Sequence, residues 1–203
     1  MLAPKTVKSL ENLGRTRLSR SFYFRDFLYS EIANIYGLQN IPDDPALAIT
    51  AGTRLCVDLL QPLNDVFGGI AIRSGYRSCG VNAFGNKHGH SCSQNERTYA
   101  NHIWDRRDSD GHMGATACIV IPWFADRYAT GADWRALAWW IHDHLPYSEL
   151  YFHPKLAAFN ITWCEAPKRK ISSYIAPKGC LTKLGMDNHG GSHAVLYEGF
   201  PKL

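Results

Sequence analysis

Apolar residues recur at helical spacing in the first third of the chain. Phe24, Phe27, Leu28 and Ile32 predict a helix over Ser21 to Tyr36, with Gly37 as its stop. Leu55, Leu59 and Leu63 share a face of a second helix over Leu47 to Phe67, which Pro62 kinks or divides. Asn40 to Pro45, with its prolines and aspartates, reads as a turn between them. After Gly68-Gly69 the period shortens. Ile70–Arg73 and Thr116–Ile121 read as buried strands, the second ended by Pro122. Trp134 to His144 is an amphipathic helix that starts at Asp133, and Leu150–Phe152 and Ala158–Trp163 are two further strands. Helices first and strands afterwards predict an α+β fold with a small, mostly antiparallel sheet. Three of the strands, Ile70–Arg73, Thr116–Ile121 and Ala158–Trp163, are expected in one sheet covered by the helix at 47–67. Residues 75–112 are polar and rich in Gly, Asn, Ser and His, and a loop of that length in a domain is usually functional.

With 203 residues, the chain is long enough for one well-buried domain. Residues 1–20 are expected as a basic N-terminal arm, and 21–203 as a single domain whose tail from about 177 is irregular. The apolar share of 45% and aromatic share of 12% suit a globular core. A net charge of +4 permits an anionic partner, nucleic acid included, without requiring one. No secretory signal opens the chain and no apolar run is long enough to span a bilayer, so a cytoplasmic protein without a membrane partner is expected. The six cysteines form no C-x-x-C pair. Cys79, His88, His90 and Cys92 are dense enough to hold a structural metal, against the plainer reading of a polar loop.

Ile72-Arg73-Ser74-Gly75-Tyr76-Arg77-Ser78, followed by Asn82, sharpens this picture. The stretch resembles the S-G-Y-R-S…N motif of the Hedgehog/D-Ala-D-Ala-carboxypeptidase class of zinc peptidases. The preceding Phe22-Tyr23-Phe24-Arg25-Asp26-Phe27 resembles the opening of the same family. The resemblance runs over roughly residues 21–165. It implies that family's fold and, by implication, a zinc held by the His and Asp of S-x-H-x-x-G-x-A-x-D and the His of a later W-x-H strand, with a Glu as base.

Carried over by position, Gly114, Thr116 and Cys118 match the Gly, Ala and Asp of the second motif, so Cys118 replaces the Asp ligand. The His position falls on Gly111, with His112 one residue off and His102 reachable through an insertion. Asn160 takes the place of the last His, and the base falls near Glu149. Asn is a poor zinc ligand. The expectation is therefore no cofactor, with His102, His112 and Cys118 as the ligands if zinc is held.

Catalysis without a metal needs other groups. His102-Ile103-Trp104-Asp105-Arg106-Arg107-Asp108 supplies an acid/base set and a cation within a few residues. His102, Asp105 and Asp108 are the catalytic candidates, with Arg106 to hold an anion. The alternative is a solvated charged loop. Arg77 is the leading binding residue: the resemblance implies that it contacts substrate near the reacting carbonyl or carboxylate, a role a guanidinium fork suits, and the alternative is a buried structural ion pair. Ser74, Tyr76, Asn82 and Asn160 join it, Ser74 and Tyr76 in part as turn-shaping residues. Lys168-Arg169-Lys170 would add a basic rim. His142 and His144 stand two apart on a helix and should face apart, while His189 and His193 carry no readable signal.

These residues lead to an atypical, metal-independent hydrolase acting on a polar or anionic substrate, with a nucleotide or nucleic acid and glycosidic-bond hydrolysis as one version. A zinc carboxypeptidase with unusual ligands and a catalytically dead binding module are the alternatives. The partner is a small anionic or carbonyl-bearing ligand, or nucleic acid.

Overall fold

The computed structural model describes residues 2–203, and its strands fall into a single mixed sheet. Six strands, β1 (Ala71–Ser74), β2 (Gly114–Val120), β3 (Glu149–Phe152), β4 (Phe159–Cys164), β5 (Lys170–Ser173) and β6 (Gly179–Thr182), lie in the order β1-β2-β4-β3-β5-β6. Every pairing is antiparallel except β3 with β5. The fold class is α+β, as the residue pattern implies. The three strands expected to share a sheet are β1, β2 and β4, side by side.

Alternation assigns the two faces. Ala115, Ala117 and Ile119 of β2, Phe159, Ile161 and Trp163 of β4, and Leu150 and Phe152 of β3 enter one apolar core. The helix α3 (Pro45–Leu55) packs on β2 and β4 from that side. Asp44 caps it through Leu47 N–H at 3.1 Å, and Pro45 opens its first turn, where the missing N–H costs nothing. A single π-helical stretch, Cys56–Leu60, follows, and α4 (Gln61–Phe67) continues with Pro62 in its first turn. The helical path thus runs unbroken from Pro45 to Phe67, and Pro62 does not divide it; the one irregularity is the π-helical stretch just before the proline. Gly68, at φ 77°, closes α4 in the left-handed conformation.

Several elements differ from expectation. The Ser21–Tyr36 helix is two pieces, a 3-10 turn at Phe24–Phe27 and α2 (Glu31–Tyr36), which Ser30 caps anew. Phe24 and Phe27 are fully buried, so the apolar spacing reports burial under a bend. The arm contains α1 (Val7–Gly14), closed by a Thr6–Ser9 capping box, and Leu13 and Leu18 join the core. The long polar segment holds α5 (Cys79–Lys87), capped by Ser78 at 3.3 Å from Val81 N. Its glycines and asparagines have low helix propensity, which hides it in the sequence. α6 (Pro122–Ala129) and α7 (Trp134–His144) follow β2, and the segment after β6 is irregular apart from a 3-10 turn at Ala194–Tyr197.

Gly52 shows how tightly α3 is seated. A Cβ there would lie 2.7 Å from Cζ3 of Trp104, a ring that is itself fully buried. In an open helix Gly→Ala is worth about 1 kcal/mol of stabilisation. At this site overpacking dominates, and Gly52→Ala is expected to destabilise by about 1–3 kcal/mol in urea unfolding.

Candidate functional site

The face of the sheet turned away from the core is polar. Register puts Ser74 opposite Cys118, Cys118 opposite Asn160, and Asn160 opposite Tyr151, so one row crosses four strands. Beside it Thr116 and Thr162 share a hydroxyl hydrogen bond of 2.8 Å. His153 continues β3, its N–H donating to Ala158 O at 2.7 Å. Two adjoining lobes, of ≈ 450 and ≈ 390 Å³, open over this row and share Ser74, Arg77, Cys118 and His153. Glu31, Ile32, Arg73 and Lys155 complete the larger lobe, and Arg97, Asn101, His102 and Asn160 lie in the smaller.

The five residues 74–78 divide the labour of holding the cleft. Ser74 ends β1 in the floor. Gly75 is required by close approach, because a Cβ would stand 2.8 Å from Cβ of Phe27. Tyr76 turns into the core and Arg77 into the cleft. Ser78 caps α5, and its N–H donates to the buried Asn40 Oδ1 at 2.7 Å. The Asn40 amide in turn donates to Tyr76 O at 2.9 Å and Leu28 O at 3.0 Å, so a buried side chain pins the segment from behind.

Arg77 is held by its own neighbours. One nitrogen donates to Asn82 Oδ1 and to Cys92 Sγ, both at 3.1 Å. Asn82 is fully buried, and its amide donates to Ser93 O at 2.9 Å and Asn95 Oδ1 at 2.8 Å. Asn82 therefore positions Arg77 and ties down the far wall. It does not line the cleft.

His102 is tied to the 75–77 segment at two points. Arg77 N–H donates to His102 O at 2.8 Å, and the His102 ring lies with Nδ1 2.9 Å from Gly75 O. A carbonyl can only accept, so Nδ1 carries the proton and Nε2 keeps a lone pair. Burial, and secondarily the Arg77 guanidinium, push the ring down to about 4, with the Gly75 hydrogen bond opposing them. Burial lowers His153 as well. Cys118 is raised by burial, with Arg73 opposing, and stays a thiol at neutral pH.

The other candidates lie elsewhere. Asp105 is 2% exposed, and its Oδ2 accepts Asp43 N–H at 2.7 Å. Arg106 stands 3.6 Å from the same oxygen and pairs with Asp43 at 2.7 Å. Asp105 Oδ1 and the Tyr76 hydroxyl are both buried without a hydrogen-bond partner. They are close enough that the carboxylate, after burial itself, pushes the phenol up. Asp105, Arg106 and Tyr76 thus form a structural knot behind the cleft. Asp108 accepts from the N–H groups of Asp110 at 3.0 Å and His112 at 2.8 Å, closing its own loop. The loop delivers His102 to the cleft but not Asp105, Arg106, Asp108 or His112.

Other expected clusters are likewise spent on packing. Of the expected basic rim, Lys168 pairs with Glu149 at 2.9 Å, and Arg169 donates to His142 O at 2.6 Å, capping α7. His88 stacks on Phe84 at 3.9 Å and His90 meets the Tyr36 hydroxyl at 3.1 Å, while Cys92 is on Arg77. His142 and His144 both reach one pocket beyond the sheet, because the C-terminal segment wraps the last turn of α7. The sequence reading missed His153 and Arg97, which carry no motif and reach the cleft only through the strand order and the return of the loop.

For a metal, the residues brought together are His102, Cys118 and His153, with Asn160 as a neutral neighbour. Among the described residues, groups of three candidate ligand atoms within 4.8 Å of one another occur at His142, Asp143 and His193 and at Asp108, Asp110 and His112, and not in this cleft. The cleft therefore does not fit a tetrahedral zinc, whose donors stand about 3–4 Å apart. Comparison with known families, with characterised proteins and with solved structures finds no match to this chain. Among the described residues no helix is long and apolar enough to cross a membrane.

Two outcomes check these assignments. Asp105→Asn is expected to lower stability by about 1–3 kcal/mol, because a buried acceptor of backbone N–H groups is weakened, while ligand binding in the cleft is retained by the folded fraction. Binding lost with stability unchanged would instead put Asp105 in the site. The second concerns pH. His102 is neutral when folded and titrates near 6.5 when unfolded, so between pH 6.5 and about 4 the unfolded chain binds more protons. Its contribution is complete above 6.5 and is lost as pH falls, by roughly 2–3 kcal/mol at pH 4. His142 and His153 act in the same direction. Unfolding curves across this range are expected to be shallower in pH for His102→Asn than for the parent.

Proposed function

We propose that this chain is a divergent protein of the Hedgehog/D-Ala-D-Ala-peptidase type whose cleft binds a small anionic, carbonyl-bearing ligand through Arg77. The carrying observation is the mounting of Arg77, a guanidinium held by the fully buried Asn82 and turned into a cleft. Among the described residues lining it, Arg73, Arg77, Arg97 and Lys155 face a single carboxylate, Glu31. A guanidinium fork in such a wall selects a carboxylate or phosphoryl group and orients it.

The chemistry that fits this arrangement is metal-independent hydrolysis. The free Nε2 of His102 accepts a hydrogen bond from water and orients it. Arg77 and the Asn160 amide stabilise the oxygen on which charge develops. The Asp105 and Asp108 roles pass to the two cleft histidines, His102 and His153, which are the proton-handling groups of the cleft. Zinc chemistry of the peptidase kind is not part of this reading, because the cleft donors do not converge.

Arg77→Lys keeps the charge and loses the fork. Titration calorimetry with inorganic phosphate is expected to give about 10-fold weaker binding for this variant. Unchanged affinity would remove Arg77 from the site and the reading with it.

A further inference from the structure

The open face of the sheet does not end at the cleft. Strand pairing carries the row of Ser74, Cys118, Asn160 and Tyr151 on to Ser172 of β5 and Cys180 of β6. Leu150 and Phe152, on either side of Tyr151, enter the core, so alternation turns Tyr151 to the open face. Tyr174, just past β5, leans on it, with the ring centroids 5.0 Å apart and the planes at 83°. The His153 ring, which lines both lobes of the cleft, is 5.3 Å from that of Tyr151 and 6.2 Å from that of Tyr174. Three rings thus stand on the sheet directly beside the cleft.

This cluster is not spent on packing. Neither tyrosine belongs to the apolar core, Tyr174 is 56% exposed, and Cys180, last in the row, is exposed. Burial, and then the neighbouring Tyr174 hydroxyl, push the Tyr151 phenol up to about 12, so it stays neutral beside an anion. The chemistry changes in order across the face. Arg73, Arg77, Arg97 and Lys155 line the cleft. Thr98, Asn101 and Asn160 give its smaller lobe neutral donors and acceptors. Asn160 stands beside Tyr151 in the register, and the rings follow. Neighbouring strands lie about 4.8 Å apart, so Cys118 and Tyr151 are separated by roughly 10 Å. A ligand that uses the whole row carries an anion, a hydroxylated spacer and a flat ring, in that order.

We propose, resting on the Arg77 reading above, that the ligand is a free nucleoside monophosphate. Its phosphate lies on Arg77, its ribose in the smaller lobe and its base against the rings of Tyr151 and Tyr174. Every base has a π-face, so tyrosine rings hold it by stacking. Asn160, which lines the smaller lobe beside Tyr151, meets the edge of the base, and a base with a ring carbonyl, such as guanine, presents its amide with an acceptor. A nucleic-acid strand is the poorer fit. Each further phosphate would call for a further cation, and beyond the rings the row holds only Ser172 and Cys180.

The test titrates the full chain with GMP and with ribose 5-phosphate, which has the anion and the sugar but no base. GMP is expected to bind about 10-fold more tightly. Tyr151→Ala/Tyr174→Ala should remove that difference and leave the affinity for ribose 5-phosphate unchanged, which also shows the variant to be folded. Tyr174→Ala alone, at an exposed side chain, should lose part of the difference without a change in melting temperature. Tyr151→Phe/Tyr174→Phe should keep it, because the rings and not the hydroxyls hold the base. Arg77→Lys should weaken both ligands by the same factor. Equal affinity for the two ligands, each dependent on Arg77, would overturn the nucleotide assignment and leave the anion site standing. Binding of either ligand that ignores Arg77→Lys would overturn both. A single-stranded decanucleotide that binds through the same tyrosines with a lower Kd than GMP would overturn the choice of a free nucleotide.

Discussion

The antiparallel pairing of β2 with β4 is the constraint on which the remaining architecture depends. Six consecutive residue pairs, from Gly114 with Cys164 to Ile119 with Phe159, put Ala115, Ala117, Ile119, Ile161 and Trp163 on one side. Side chains alternate, so the same register delivers Thr116, Cys118, Asn160 and Thr162 to the other. A slip of one residue would exchange the two faces. The apolar face demands the cover that α3 and the helices after it provide. The polar face cannot be buried in the same way, and a loop crossing it leaves a cleft.

What crosses that face is held by buried amides more than by charge. Asn40 and Asn82 have their polar atoms satisfied: Asn40 holds the backbone at Tyr76 and Ser78, and Asn82 holds the Arg77 side chain and the far wall at Ser93 and Asn95. The charged knot of Asp105, Arg106 and Asp43 lies behind them and secures the loop to the turn before α3. The cleft is thereby left with cations, imidazoles and, among the described residues lining it, the single carboxylate of Glu31. The acids that the sequence clusters beside His102 are thus structural, and the excess of cations lies in the cleft.

Legibility in the sequence followed the range of the interactions concerned. The strand at Thr116–Ile121 and the helical span at 47–67 are set by neighbouring residues, and they were readable; the expected break at Pro62 was not found, because the proline sits in the first turn of α4, where its missing N–H is tolerated. The 74–78 segment was readable as a strand-to-loop turn with Arg77 in the cleft. Its glycine, however, answers to Phe27, nearly fifty residues away in sequence, which no local pattern reveals. α5 was hidden by Gly80, Asn82 and Gly85, whose low propensity is offset by the Ser78 cap and by packing. Asp105 and His102 stand three apart in one charged stretch, yet a turn sends one behind the cleft and the other into it. Sequence proximity carries no information on such a division. The cluster at His142 and His193 joins residues about fifty apart through an irregular tail, and only the folded chain brings it into view.

Anion recognition on the open face of the sheet, at Arg77, is what we propose. Amide and arginine side-chain NMR signals followed during a titration with inorganic phosphate test it most directly. Saturable shifts are expected, confined to Arg77, its partner Asn82, and the Ser74, His102 and Asn160 positions, with the α7 and C-terminal signals still. Shifts centred on α7 and the tail, or none at these five positions, would contradict it.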